Sequence, residues 1–288
     1  MIDLVFGPFL EFAFMRRALV GCLALSLSAP PIGVFLMLRR MSLMTEAMSH
    51  AILPGAAIGF LVAGLSLPAM TVGGLAAGLA VALLAGFVTR STVIKEDASL
   101  AAFYLISLAA GVLLVSWRGS QIDLLHILFG TVLALDDAAL LLLGGIATIT
   151  LFALAALYRP LVMECVDPLF LRSVSGAGGP VHYAFLGLVV MNLVGGFQAL
   201  GTLLAVGLML LPAITARLWA ADLSGLIPVS MLLAMLASFS GLVLSYHADL
   251  PTGPAIVLSA GALYLLSLLA GTRGGLLRRL LHRRHLEA

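Results

Sequence analysis

The chain has 288 residues, of which 62% are hydrophobic and only 10% are charged, and its mean hydropathy is +1.19. This composition excludes an ordinary soluble domain and indicates a protein with several membrane-spanning helices. The formal net charge of +2 is too small to indicate nucleic-acid binding. Two cysteines, Cys22 and Cys165, do not support a disulfide framework or a cysteine-based metal site.

Apolar runs of about 20 residues, enough to cross the hydrocarbon core of a bilayer, follow one another along the chain. A ninth, shorter run covers 181–197 and ends at Gly195 and Gly196. The eight full-length runs are 18–38, 43–64, 68–88, 98–117, 138–157, 200–218, 226–246 and 253–272. The sequence therefore predicts an all-α transmembrane helix bundle with about nine crossings.

The distribution of positive charge predicts the orientation. With nine crossings, twelve of the 15 Arg and Lys residues fall on one side, which is cytoplasmic by the positive-inside rule. Only Arg16, Arg17 and Arg118 fall outside. We therefore expect an external interfacial segment over 1–15, a transmembrane domain over 16–272 and a basic cytoplasmic tail over 273–288.

Glu46 and His50 are four residues apart near the start of the second predicted span. Side chains at i and i+4 project from one face of a helix, so a carboxylate oxygen and an imidazole nitrogen can reach the same ion. Ionisable residues inside a membrane are costly and usually face a polar pathway, which makes this pair a candidate metal site. The alternative is that the two side chains only hydrogen-bond to each other or to neighbouring helices.

A short helix is predicted within 163–179. Asp167 can cap its N-terminus, Pro168 suits its first position, and the glycines from Gly176 onward can end it. Its apolar residues, Phe170 among them, would pack against the protein's own bundle or dock on a soluble partner. The residues alone leave both interpretations open.

His247 and Asp249 form a second imidazole and carboxylate pair, followed by the turn sequence 251–254. In the predicted topology this turn is external or dips into the outer mouth, where the two side chains could receive a metal ion or complete its ligation. Alternatively, Asp249 starts the next helix and His247 is solvated at the interface.

Five blocks, in family order and spacing across most of the chain, together resemble the permease subunits of manganese/zinc/iron-type ABC importers. The blocks are 38–55; 128–134; Asp167 and Pro168 with Arg172 and Gly176; 201–217; and Ser245 and Tyr246 with 251–254. One departure is Glu46, because the family usually has Asp at this position.

The resemblance implies a type II ABC importer-like permease in the inner membrane of a bacterial cell. Its expected partners are a second copy of itself, two cytoplasmic ATPase subunits and an external or periplasmic metal-binding protein. The resemblance also implies that Asp167, Pro168, Phe170, Arg172 and Gly176 belong to a coupling helix that contacts the ATPase. The expected metal ligands, Glu46, His50, His247 and Asp249, would hold transported Zn(II) or Mn(II) and no tightly bound cofactor.

The sequence also limits what the chain does by itself. Its only lysine is Lys95, so it contains no phosphate-binding loop of the type G-x-x-x-x-G-K-[ST], and ATP hydrolysis is expected from a separate subunit. Histidine at both candidate sites favours zinc, with manganese or iron as alternatives. The rival transport mechanism is a stand-alone proton-coupled carrier that uses Glu46 and His50 as a relay. No hydrolase motif supports an intramembrane enzyme.

The charge asymmetry predicts that the two ends of the chain lie on opposite sides of the membrane. A reporter fused after Arg284 should behave as cytoplasmic, and one placed at Met1 as external, because twelve positive residues against three favour this orientation. Reporter activity and protease accessibility in intact cells are the measurements. Finding both ends on the same side would contradict nine crossings.

Overall fold

A computed structural model describes residues 2–64, 66–93, 96–117, 132–167, 178–273 and 275. Within these residues the protein has ten α-helices, a 3₁₀ turn at Val132–Ala134 and no strand, which confirms the all-α prediction. The helices are α1 (Ile2–Glu11), α2 (Ala13–Leu38), α3 (Met44–Ala63), α4 (Leu67–Ser91), α5 (Glu96–Trp117), α6 (Asp137–Val166), α7 (Gly178–Leu200), α8 (Thr202–Ala216), α9 (Leu223–Ala248) and α10 (Thr252–Ala270).

Seven of the described helices are long and apolar enough to cross a membrane, namely α2, α3, α4, α6, α7, α9 and α10. The short ninth run is part of the full-length helix α7, because Gly195 and Gly196 are buried inside it and do not end it. The run predicted at 200–218 corresponds to α8, which begins after Gly201. This helix has only 15 residues and is about 22 Å long. Nine crossings remains a prediction.

Helix α2 lies at the centre of the bundle, where it packs against α6, α7, α8 and α9. Its large side chains Leu25, Ile32 and Phe35 are almost fully buried. A Cβ atom at Gly33 would overlap the backbone carbonyl oxygen of Met209 in α8. Glycine therefore allows two helix backbones to approach each other closely here, as is typical of packed transmembrane helices.

The N-terminal helix α1 packs along α9 through aromatic rings. The ring centroids of Phe9 and Phe239 are 5.4 Å apart, and those of Phe6 and Phe239 are 5.8 Å apart. The guanidinium of Arg16 donates a hydrogen bond to the carbonyl oxygen of Leu10 at 2.9 Å, which satisfies one of the free carbonyls at the end of α1. The interfacial position predicted for 1–15 remains a prediction.

Helices α3 and α4 form a closely packed hairpin that depends on glycine. A Cβ atom at Gly55 would overlap the carbonyl oxygen of Gly73, and one at Gly73 would overlap the carbonyl oxygen of Gly55. Gly59 faces the backbone of Ala69 in the same way. Since α3 carries Glu46 and His50, this contact with α4 fixes the helix on which the candidate metal pair lies.

We expect Gly55→Ala to lower the free energy of unfolding by about 1–3 kcal/mol, because the added methyl group forces the two helix backbones apart. Thermal denaturation of the purified protein in detergent is the measurement. Gly144→Ala in α6 is the matched control, since a Cβ atom there has no neighbour within 4 Å among the described residues. Equal melting temperatures for the two variants would contradict the close contact.

Candidate metal site

A tight turn at the end of α2 positions the start of α3. The backbone N–H of Arg40 donates to the carbonyl of Met37 at 3.1 Å, and that of Met41 donates to Leu36 at 2.9 Å. This pair of bonds is a Schellman motif, in which the residue after the cap adopts a left-handed conformation. Arg40 has φ of 59°, a conformation usually taken by glycine. The turn therefore holds a strained residue that directs the chain into α3.

The structure brings the first predicted pair together. Nε2 of His50 lies 3.3 Å from Oε1 of Glu46, one turn earlier on α3. The Glu46 side chain is 64% exposed and that of His50 is 31% exposed. The carboxylate therefore lies on the surface of the single chain, on a helix long and apolar enough to cross a membrane.

Helix α5 packs beside His50. The ring of Tyr104 lies 6.2 Å from the imidazole ring, centroid to centroid, at an interplanar angle of 30°. The hydroxyl of Ser107 donates to the carbonyl oxygen of Ala51 at 3.1 Å, which attaches α5 to α3 directly after the histidine. These contacts restrict the imidazole on one side and leave its nitrogen next to Glu46.

The other polar and sulfur-containing residues around the pair are turned inward. The buried hydroxyls of Thr45 and Ser49 donate to backbone carbonyls three residues earlier, at 2.8 and 2.7 Å. Met41, Met44 and Met48 are buried in the core, so apolar packing explains these three side chains. Glu46 and His50 remain as the outward-facing candidate ligands of this turn.

The second predicted pair lies in an exposed turn between α9 and α10. Asp249 is left-handed, with φ of 55° and ψ of 38°, and it caps the C-terminus of α9. The interpretation that it starts the next helix is therefore wrong. The hydroxyl of Ser245 lies 2.7 Å from the carbonyl oxygen of Leu250 and 2.9 Å from Oγ1 of Thr252, which closes the turn. His247 is in the last turn of α9 and is exposed, as is Asp249.

Neither pair forms a complete metal site within the part of the chain that the structure describes. Among those residues, no group of three or more His, Cys, Asp or Glu side chains is placed to hold one ion. The structure therefore does not combine Glu46 and His50 with His247 and Asp249. Each pair supplies two donors, whereas zinc usually takes four ligands and manganese six.

A buried cluster that we did not predict joins three helices. Nη2 of Arg39, at the end of α2, lies 3.1 Å from Oε1 of Glu164 in α6 and 2.6 Å from Nδ1 of His182 in α7. The guanidinium carbon also lies 5.2 Å from the ring centroid of Phe185. Because a guanidinium only donates hydrogen bonds, Nδ1 of His182 must accept here, and the imidazole is neutral in this arrangement.

One sequence signal could have indicated this cluster. The apolar run is predicted to end at 157, but helix α6 continues to Val166. This extension places Leu161 and Glu164 inside the helix. Arg39 and His182 also lie at the ends of apolar runs. A glutamate at the end of a helix is therefore a candidate buried partner for such an arginine and histidine. Pairing it with Arg39 requires the fold, because the two residues are 125 positions apart.

The predicted coupling helix lies mostly outside the described residues. The structure shows Asp167 as the C-cap of α6, with its backbone N–H bonded to the carbonyl oxygen of Met163 at 2.8 Å. The residues at 163–166 therefore belong to the long helix α6 and not to a separate short helix. Pro168, Phe170, Arg172 and Gly176 lie outside the described residues.

Comparison with known proteins identifies the family. A family model described as the ABC 3 transport family matches residues 11–271. The chain is 34% identical over 257 residues to the manganese import system permease protein ScaB of Streptococcus parasanguinis, covering 89% of this chain and 90% of that protein. It is 30% identical over 268 residues to a protein of Haemophilus influenzae named "Probable iron transport system membrane protein", covering 93% and 97% respectively.

A solved structure agrees with these sequence relatives. A chain in the structure of PsaBC from Streptococcus pneumoniae in complex with Fab matches with a TM-score of 0.83 and 30% identity, covering 95% of this chain and 97% of that one. The chain therefore belongs to the ABC 3 transport family. The resemblance to metal ABC importer permeases is confirmed, and the chain is a transporter component, not an enzyme.

Proposed function

We propose that this protein is the membrane permease of an ATP-driven importer of divalent transition metal ions in the inner membrane of a bacterial cell. The observation that carries this proposal is the exposed Glu46 carboxylate, 3.3 Å from His50, on a helix long enough to span a membrane. A carboxylate in contact with lipid is strongly disfavoured, which supports a polar path along the exposed face of this helix.

A second copy of the chain is the proposed partner that covers this face. Since each copy supplies one carboxylate and one imidazole, a two-fold axis beside α3 would bring together four side-chain donors. Four such donors equal the usual coordination number of zinc, and manganese, which usually takes six ligands, would need two more. The incomplete site in the described residues supports this homodimer pathway.

Manganese is the cargo we propose first. A carboxylate oxygen and an imidazole nitrogen suit Mn(II), Fe(II) and Zn(II), whereas an affinity trap for softer metals would use thiolates. The relatives are named for manganese and for iron transport, and they support these metals above zinc. The zinc preference expected from the histidines remains a prediction, which competition between the three ions in uptake assays would test.

The turn at His247 and Asp249 is a second proposed binding site for the ion. Both side chains are exposed, and the Ser245 and Thr252 hydroxyls hold the turn closed beside them. In the predicted topology the turn faces outward, where an external or periplasmic metal-binding protein would deliver the ion. His247 and Asp249 would then receive the cargo before it reaches Glu46 and His50.

Two cytoplasmic ATPase subunits are the proposed source of energy. The chain has no phosphate-binding loop of its own, and ABC 3 family membership favours ATP-driven transport over the proton-coupled carrier. We assign the contact with the ATPase to the segment from Asp167 to Gly176, including Pro168, Phe170 and Arg172. ATP binding and hydrolysis would move this segment and switch access to the pathway by rigid-body motion of helices.

If Glu46 and His50 bind the travelling ion, His50→Ala removes a nitrogen donor and Glu46→Gln removes a charge at nearly constant volume. We expect each variant to lower manganese uptake at limiting metal by at least about tenfold. Removing a residue that only hydrogen-bonds to a metal ligand already causes a loss of this size, and removing a ligand itself should cost at least as much. Uptake into vesicles containing the complete transporter is the measurement.

Glu46→Asp is the matched control for this experiment, since it keeps the charge and restores the residue usual in the family. It should retain uptake, and yield and ATPase assembly should be equal in all three variants. If Glu46→Gln and His50→Ala moved manganese, iron and zinc at the parental rate, the pair would be structural. His247 and Asp249 would then be the better candidates.

Phe170→Ala should weaken the association with the ATPase, because an aromatic side chain docked in a partner's pocket commonly dominates such an interface. Co-purification of the ATPase with the permease and metal-dependent ATP hydrolysis are the measurements. Phe152→Ala is the control, since Phe152 is an exposed aromatic residue on α6. Undiminished assembly and hydrolysis with Phe170→Ala would assign the segment to internal packing.

A further inference from the structure

The buried cluster of Arg39, Glu164 and His182 has no role in the function proposed so far. Its three side chains are only 10%, 7% and 7% exposed, so the cluster does not lie on the exposed face that carries Glu46. A guanidinium in its centre repels cations, so a transported metal ion would not be held there. Burying such charges is costly, and the cost is offset only by good pairing.

The cluster joins the two helices that flank the segment assigned to the ATPase. Glu164 lies one turn before Asp167, where α6 ends, and His182 lies in the first turns of α7, which begins at Gly178. Both side chains contact the same nitrogen atom, Nη2 of Arg39. A single guanidinium therefore holds the ends of α6 and α7 against the end of α2.

On its other side, Arg39 is connected to the candidate metal pair by a short, hydrogen-bonded turn. Arg39 caps α2, Arg40 is left-handed, and the N–H of Met44 at the start of α3 donates to the carbonyl oxygen of Met41 at 3.0 Å. Glu46 follows in the first turn of α3. Between Arg39 and Glu46 the backbone is therefore held by hydrogen bonds and has little freedom to absorb a shift of the end of α2.

Two atoms of the cluster are available for a second arrangement. Nη1 of Arg39 and Oε2 of Glu164 are buried and have no hydrogen-bond partner among the described residues. They are the remaining donor and acceptor of the same ion pair. A small shift of α6 along α2, with the guanidinium drawn away from α7, would let the guanidinium and the carboxylate form two parallel hydrogen bonds, the strongest geometry for this pair, and would break the contact of Nη2 with His182.

We propose that Arg39, with Glu164 and His182, forms a positioning cluster that couples movement of the ATPase-contacting segment to the Glu46 and His50 pair. In one state Nη2 of Arg39 is shared between Glu164 and His182. In the other state Arg39 and Glu164 are paired through both oxygens, and α7 is free to move relative to α2. A transporter that opens alternately to the two sides of the membrane needs a part with two stable arrangements, and these two pairings supply them. This inference rests on the proposed function of the 167–176 segment.

The test is the amount of ATP hydrolysed per manganese ion imported, measured with the complete transporter in vesicles. Arg39→Lys keeps the charge and removes the planar fork that makes both pairings available. We expect manganese-stimulated ATP hydrolysis to persist while import falls, so that the ratio of ATP to manganese rises at least about fivefold, the lower end of usual coupling effects. A residue that only supports folding would lower hydrolysis and import together and leave the ratio unchanged.

A second variant and a control keep the test decisive. His182→Phe keeps a ring of similar size but removes the acceptor of Arg39, and it retains the ion pair of Arg39 with Glu164, so it should fold and also raise the ratio. Arg17→Lys is the control, because Arg17 forms an exposed ion pair with Asp137 at 2.9 Å, outside the cluster. It should keep the parental ratio. A parental ratio in either assembled cluster variant, or loss of assembled complex in both, would overturn the proposal.

The outcomes also separate this inference from the proposed function. If the parental complex imports no divalent metal, the proposed function fails, whatever the cluster variants do. If the parental complex imports manganese and Glu46→Gln abolishes import, but Arg39→Lys and His182→Phe retain the parental ratio, only the coupling role of the cluster fails.

Discussion

A polar group inside an apolar helix bundle must either find a partner or face water, and this requirement shapes both the packing and the pathway of this protein. Ser26 and Ser238 hydrogen-bond between α2 and α9 at 3.2 Å, and Asn192 donates to Thr150 between α7 and α6 at 2.7 Å. These pairs hold helices together. Glu46 has a different environment, because its side chain is exposed and lies beside His50.

The two carboxylates differ in burial, which fits the different roles proposed for them, one between helices and one on the pathway. Glu164 is buried next to a permanent cation, so its charge is neutralised within the protein. Glu46 is accessible and its neighbour is a histidine, which can bind a metal as readily as it accepts a hydrogen bond. A group that binds cargo in transit must be accessible to it, and of these two carboxylates Glu46 is the accessible one.

Local sequence patterns predicted much of this fold because helices and their faces are determined over short distances. The apolar runs predicted the all-α architecture, and the four-residue spacing of Glu46 and His50 predicted their contact. Helix ends were less predictable: Pro160 is accommodated inside α6, so the helix continues beyond the expected end, whereas Gly201 separates α7 from α8. The contact of Arg39 with His182 spans 143 positions, and no local pattern encodes it.

The incomplete set of candidate ligands among the described residues has a genetic consequence, if the proposed dimer forms. If two copies share one pathway, each contributes half of the ligands, and a defective copy disables any assembly that it enters. Co-expression of equal amounts of intact and Glu46→Gln chains would leave only about one quarter of randomly formed dimers with both intact halves. A loss of function at Glu46 would therefore be partly dominant, whereas a variant that cannot fold would be recessive because it never enters a dimer.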